Sequence, residues 1–320
     1  MIQTQWVTQQ LRQQWPSLEI EIVQIHTTGD RVTNLPLSQI GGDGVFVTEI
    51  EHALHEGRID LAVHSLKDLP TQQPDDLCVL VVGEREDVRD IFVTNQPFTI
   101  ADGRLFPNQP DAKLSVSPRI GTCSLRRTAQ IREFLPQAQI LSLRGNVDTR
   151  LRKLEAGEYD GIVLAAAGLH RLDFVERLAG RMTYFPLEMM LPAPGQGALG
   201  VECRNEPELL RLLAPLQNQE AQAATSVERT FMRHLGAGCY LPVAAAAQIR
   251  ENVLSVQGLV ISLDGERKIR VQQSLPWTSN STIADAEALG VRLAEEALTR
   301  GADRIIQEII PIREQVQSHV

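Results

Sequence analysis

Five short stretches of this chain place chemistry-bearing residues where ordinary packing does not call for them. In "VHSLKDLP", Val63 to Pro70, an apolar strand runs into Ser65, Lys67 and Asp68 and is stopped by Pro70. Polar groups at a strand's carboxyl end mark the usual mouth of an α/β site. Asp68 can accept or deliver a proton or stabilise a nearby cation there, and Lys67 can hold an anion, while a turn with a solvated Lys-Asp pair is the plainer reading. In "GTCSLRRTAQ" a strand ends at Gly121, Thr122 and Ser124 can cap the next helix, and Arg126 and Arg127 fall in its first turn. Two cations there oppose the helix dipole unless an anion sits between them. "RGNVDTRLRK" repeats the design, with Arg144 and Gly145 at a strand-to-helix turn and Arg150 on the helix. In "LPAPGQGALGVEC" Gly195 and Gly197 flank Gln196, and such glycine pairs let backbone approach a ligand closely. Finally, "HLGAGCYLPVAAAA" holds Cys239 behind Gly236, Ala237 and Gly238, flanks that read as a loop and not as a packed strand.

The arginines stand out because the chain as a whole is acidic, with a net charge of -9 over 320 residues. An acidic chain without a basic tail is not a nucleic-acid binder, since phosphate contacts are made by clustered Lys and Arg. Arginine forks aimed at one cleft therefore imply a small polyanion, and several carboxylates fit better than phosphates. A phosphate-binding G-x-x-x-x-G-K-[ST] loop is lacking, and "GGDGVF" carries Asp43 where a phosphate would be repelled. Cys78, Cys123, Cys203 and Cys239 are scattered without a C-x-x-C pair, which argues against a metal centre or a disulfide framework. Cys78 in "LCVLVV" and Cys203 in "GALGVEC" read as small packed hydrophobes. Apolar runs such as "GIVLAAAGL" reach about half of the ~20 residues that a spanning helix needs, so no membrane segment and a cytosolic location are expected.

The elements that must position these residues follow from periodicity. A helix over 2–14, a strand "LEIEIVQI", a helix in "FVTEIEHALHEG" and a strand "LAVHSL" point to a parallel sheet with crossover helices. After "LCVLVVGER" a second βα series begins at "DIFVT" and continues through "RIGTCSLRRTAQIREFL", "AQILSL" and "GIVLAAAGLHRL". Two α/β units in series predict two sheets facing each other across a cleft, with ligands at the strand ends. The last third switches to helix, three strand-like stretches and a closing amphipathic helix, the pattern of a small α+β domain with an antiparallel sheet.

Taken together, "HSLKDLP", "GTCSLRR", "LSLRGNVDTRL", "GEYDGIVLAAAGL", "LPAPGQGALGVECR" and "GAGCYLPVAA" resemble, in order and spacing, the porphobilinogen deaminase family. The resemblance runs from Trp6 to about Ile312. It implies two α/β domains like those of periplasmic binding proteins around a cleft, and a third α+β domain. The implied boundaries are 1–84 with 198–214, then 89–192, then 218–313, followed by a tail. It implies an enzyme that joins four porphobilinogen molecules head to tail into hydroxymethylbilane with loss of ammonia. A dipyrromethane cofactor would be attached by a thioether, here to Cys239, and Asp68 would be the catalytic carboxylate. Ser65, Lys67, Thr122, Ser124, Arg126, Arg127, Arg144, Gly145 and Arg150 would bind acetate and propionate side chains, with Arg171 and Gln196 also at the site. A monomer that passes its product to uroporphyrinogen-III synthase is expected.

Two departures qualify the resemblance. Relatives commonly open with a strand bearing Arg-x-Ser-x-Leu-Ala ahead of the helix that here reads "IQTQWVTQQL", which leads us to expect a translation start upstream of Met1. They also commonly carry Lys where this chain has Asp43. Two other readings compete: an anion-binding two-lobed receptor, and a thiol enzyme pairing Cys239 with His234.

Overall fold

A computed structural model describes residues 1–25, 47–95, 98–101, 104–107, 117–236, 238 and 241–317, with side chains described outside 98–107 and up to 309. The chain opens with α1 (Ile2–Gln14), whose Val7, Thr8 and Leu11 turn one buried stripe inward. α2 (Thr48–His55) leads to β1 (Leu61–Ser65), and a single 3₁₀ turn, Leu66–Asp68, carries the chain off the strand. β2 (Leu77–Val82) completes the first passage.

The second unit contains β3 (Asp90–Thr94), a hairpin of β4 (Phe98–Ala101) and β5 (Arg104–Pro107), and β6 (Arg119–Gly121). It continues with α3 (Leu125–Phe134), β7 (Gln139–Leu141), α4 (Val147–Glu155) and β8 (Gly161–Ala165). The short helices α5 (Ala166–Arg171) and α6 (Phe174–Arg177) and strand β9 (Met182–Tyr184) close it. Its five strands lie in the order β7-β6-β8-β3-β9, with β6 parallel to both neighbours and β3 antiparallel to β8 and β9.

The chain then returns as β10 (Leu199–Arg204), which inserts between β1 and β2 and runs against both. The first sheet is therefore antiparallel, contrary to the parallel sheet that the alternation of strand and helix predicts. The reason is topological: the chain comes back at the end of the sheet where β2 left it, so β10 runs back along β2 and Leu199, its first residue, pairs with Val82, the last of β2. Nor does "LEIEIVQI" form a strand; Leu18 and Ile20 pack on the first core while Ile22 and Val23 stay exposed. Alternation sets which side chains face inward, but a strand also needs a ladder partner.

The third unit is built as expected. After α7 (Pro207–Leu213), whose leucines pack on the first core, α8 (Gln219–His234) precedes the antiparallel meander β11 (Val243–Arg250), β12 (Val253–Ile261) and β13 (Lys268–Pro276). α9 (Ile283–Thr299) begins with a reciprocal capping box between Thr282 and Asp285. A further helix, α10 (Ala302–Gln317), extends beyond the predicted closing helix and buries Ile305, Ile306 and Ile309 in the same core. Phe231 of α8 lies so close to β12 that a Cβ at Gly258 would stand 2.6 Å from its ring. No helix of the described residues is long and apolar enough to cross a membrane.

Candidate active site

The site is assembled where strands of the first two units end. β1 delivers Ser65, and the 3₁₀ turn after it leaves Asp68 exposed while burying Leu66. Ser65 Oγ accepts a hydrogen bond of 2.9 Å from Gln3 Nε2 of α1. Lys67 is partly buried and donates from Nζ to Gln196 Oε1 at 3.3 Å. Loss of solvent pushes its pKa down to about 8, with the Asp68 carboxylate opposing that shift and the Arg127 guanidinium adding to it.

Gln196 is fully buried, and its amide donates to Asp90 Oδ1 at 3.0 Å and to the Val88 carbonyl at 2.8 Å. Asp90, also fully buried, opens β3 and lies between the two arginines of α3. Arg126 Nη1 reaches Asp90 Oδ2 at 2.7 Å, and Arg127 Nη2 and Nε reach Oδ1 at 2.7 and 3.2 Å. Burial alone would raise the Asp90 carboxyl, but Arg126 and Arg127 outweigh it and hold it far below the usual carboxylate range. The anion that two arginines at a helix start require is thus present in the protein itself. Arg126 also donates to the Leu191 carbonyl at 2.7 Å and Arg127 to that of Val163 at 2.9 Å. Both guanidiniums are fixed before any ligand arrives.

The remaining predicted residues gather around this network. Ser124 is the N-cap of α3 and accepts from the Arg127 amide, while buried Thr122 accepts from the Ser124 amide. Gly145 takes φ 109° at the turn into α4, a conformation that a side chain would oppose. Arg150 donates from Nε to the Gly145 carbonyl at 2.7 Å. Its pKa is lowered chiefly by desolvation, and it feels the charges of Arg127, Asp68 and Arg144. Asp68 of the first unit and the arginines of the second therefore share one electrostatic environment. Arg171 donates to the Gly197 carbonyl at 2.6 Å, next to the Gln196 that Lys67 contacts. Cys239 and Asp43 lie outside the described residues.

Sequence reasoning missed three residues that hold this site. Asp90 reads as the polar start of an apolar strand, and only its position before "IFVT" hinted that a charge was being buried. Glu228 of α8 is fully buried; it grips Arg85 with bonds of 2.9 and 2.8 Å and accepts the amides of Gly195 and Ala247 at 2.7 and 2.6 Å. Arg85 in turn donates to the Gln196 carbonyl at 3.0 Å. The Gly195–Gly197 turn is thereby held by all three units. At Gly197, with φ 89°, a Cβ would meet the Glu86 carbonyl oxygen at 2.4 Å.

Among the described residues no group of His, Cys, Asp and Glu is arranged to hold a metal. A family model described as "Porphobilinogen deaminase, dipyromethane cofactor binding domain" matches residues 1–211, and one described as "Porphobilinogen deaminase, C-terminal domain" matches 223–299. The chain is 47% identical over 305 residues to a porphobilinogen deaminase of Syntrophotalea carbinolica, covering 95% of this chain and 90% of that protein. It is 40% identical over 308 residues to one of Geobacter sulfurreducens, covering 96% and 90%. Among solved structures, the periplasmic VFT2 domain of Bordetella pertussis BvgS aligns with 69% of this chain and 80% of its own, at 16% identity and a TM-score of 0.37. On the two family models and the full-length relatives, the chain belongs to the porphobilinogen deaminase family.

Proposed function

We propose that this chain is a transferase that joins four porphobilinogen molecules head to tail into hydroxymethylbilane, with release of ammonia, in tetrapyrrole biosynthesis. The observation that carries the reading is the placement of one exposed carboxylate, Asp68, beside Lys67 and within electrostatic reach of Arg150. A two-lobed receptor has use for the arginines but none for Asp68, and the family assignment favours the enzyme.

Each pyrrole brings two carboxylates, so a growing chain is a strong polyanion, and Lys67, Arg126, Arg127, Arg144 and Arg150 are its natural counterparts. The same residues, with Ser65, Thr122, Ser124, Gly145, Arg171 and Gln196, would hold the dipyrromethane, which we assign to a thioether on Cys239. When bound, that group supplies the pyrrole carbon to which substrate units are added. Asp68 acts on the incoming substrate: its carboxylate hydrogen-bonds the departing ammonia and steadies the positive charge left on the methylene as the C–N bond breaks. It also accepts hydrogen bonds from pyrrole N–H groups and takes up the proton that the attacking pyrrole carbon loses as the new C–C bond forms. Buried Gln196 fixes the Lys67 ammonium, so the substrate carboxylate meets a donor that is already oriented.

Lys67 sets the alkaline limit of binding. Its ammonium is charged below about 8 and neutral above it, so kcat/KM should fall as pH rises through that value. In Lys67→Arg the charge persists, and that limb should move up or vanish; an unchanged profile in the variant would assign the limb to another group.

The finer assignments are the division into 1–84 with 198–214, 89–192 and 218–313, a cytoplasmic monomer, and delivery of product to uroporphyrinogen-III synthase. Intact mass of the denatured protein tests the central reading. A covalent increment of two pyrrole units is expected, lost together with turnover in Cys239→Ala. An unmodified chain that still makes hydroxymethylbilane would overturn it.

A further inference from the structure

Two cysteines that the proposed chemistry does not use face each other inside the first sheet. Cys78 of β2 is the register partner of Cys203 on β10, and their sulfurs are 3.5 Å apart. We propose that this pair is a redox modification site, a cross-strand dithiol that a peroxide converts into a reversible disulfide.

The geometry favours closure. Directly opposed residues of an antiparallel pair have Cα atoms about 4.5–5.5 Å apart, inside the range of about 4.4–6.8 Å that a disulfide spans. Side-chain rotation can therefore bring the sulfurs together without moving the backbone. Access is one-sided: Cys203 is fully buried, whereas Cys78 is half-buried and can be reached. The hydrogen bond between the two sulfurs lowers the pKa of Cys78 and, with burial, raises that of Cys203. The thiol that can be reached is also the more acidic one.

In the first step the Cys78 thiolate attacks one peroxide oxygen, the O–O bond breaks, and the departing hydroxide takes a proton and leaves as water. In the second, the Cys203 sulfur attacks the sulfenic sulfur of Cys78, the S–O bond breaks, and the hydroxyl leaves as water with the Cys203 proton. The two thiols lose two electrons and the peroxide gains them. A resolving thiol already in contact diverts Cys78 from irreversible over-oxidation.

The pair sits at the end of β10 remote from Asp68. Cys203 lies opposite Leu61 at the start of β1, whereas Ser65, at the site, lies opposite Leu199. Oxidation should therefore leave turnover intact while bonding together the strands by which the chain leaves and re-enters the first unit.

The test is treatment of the cofactor-loaded protein with stoichiometric hydrogen peroxide, followed by alkylation and digestion without reductant. A peptide pair joined through Cys78 and Cys203, two hydrogens lighter than its parts, is expected; it should disappear with dithiothreitol and be absent in Cys78→Ser. Cys78 alkylated as fully as before, found as sulfinic acid beside a free Cys203, or linked instead to Cys123 would overturn the proposal. Mapping the wild-type protein decides the matter even if a serine variant folds poorly.

Discussion

Asp68→Ala should fold, retain its cofactor-sized mass increment and lose about 10²–10⁴-fold in kcat, the range associated with a positioned acid or base. Folding is spared because the side chain is exposed and packs in no core, while its neighbour Leu66 carries the burial of that turn. The chemical loss is large because the reaction creates positive charge next to the cationic residues Lys67, Arg127 and Arg150, and Asp68 is the carboxylate that offsets it. Steady-state turnover, with circular dichroism as the fold control, measures both. Near-wild-type turnover would remove Asp68 from the mechanism.

Asp90→Asn should act through stability. The substitution leaves Arg126 and Arg127 buried with no opposing carboxylate, and breaking a buried pair in this way costs about 3–5 kcal/mol. Urea unfolding should show that loss. The pH dependence separates a charge effect from a packing defect. The carboxyl is held below its ordinary value in the folded chain, so its contribution is complete above the unfolded pKa of about 3.9 and fades as pH falls toward the folded value. The wild-type protein should therefore lose stability on acidification by more than the variant does. Equal acid slopes, or a variant as stable as wild type near neutral pH, would show that Asp90 is not the counter-charge of the two arginines.

Asp90 also marks the limit of what the sequence could reveal. Asp68 and the arginine-bearing turns were legible because each stands at the junction of an apolar strand with a turn or helix, where local spacing says which way a side chain must leave. The helix-dipole argument at Arg126 and Arg127 called for an anion and read it as a ligand's, whereas the carboxylate found there is Asp90, 36 and 37 residues away in sequence, and no local pattern connects them. Glu228 was hidden for the same reason: on an amphipathic helix it looks like a solvated face, yet its carboxylate is buried among Arg85, Gly195 and Ala247. The antiparallel first sheet escaped because β10 joins its neighbours only after the whole second unit has been built. Alternation was local information; ladder partners were not, which is also why "LEIEIVQI" reads as a strand and forms none.

The turn at Gly195–Gly197 has one more consequence. Its amide at Gly195, its carbonyls at Gln196 and Gly197, and the Gln196 side chain are each bound to a different element: Glu228, Arg85, Arg171, and Lys67 with Asp90. A segment so fully engaged cannot stretch or unwind cheaply, since each freed buried group costs about 1–3 kcal/mol. A widening of the space between the first two units that keeps these bonds would pivot on this turn. Lys67, bonded to the Gln196 side chain, then stays beside that pivot.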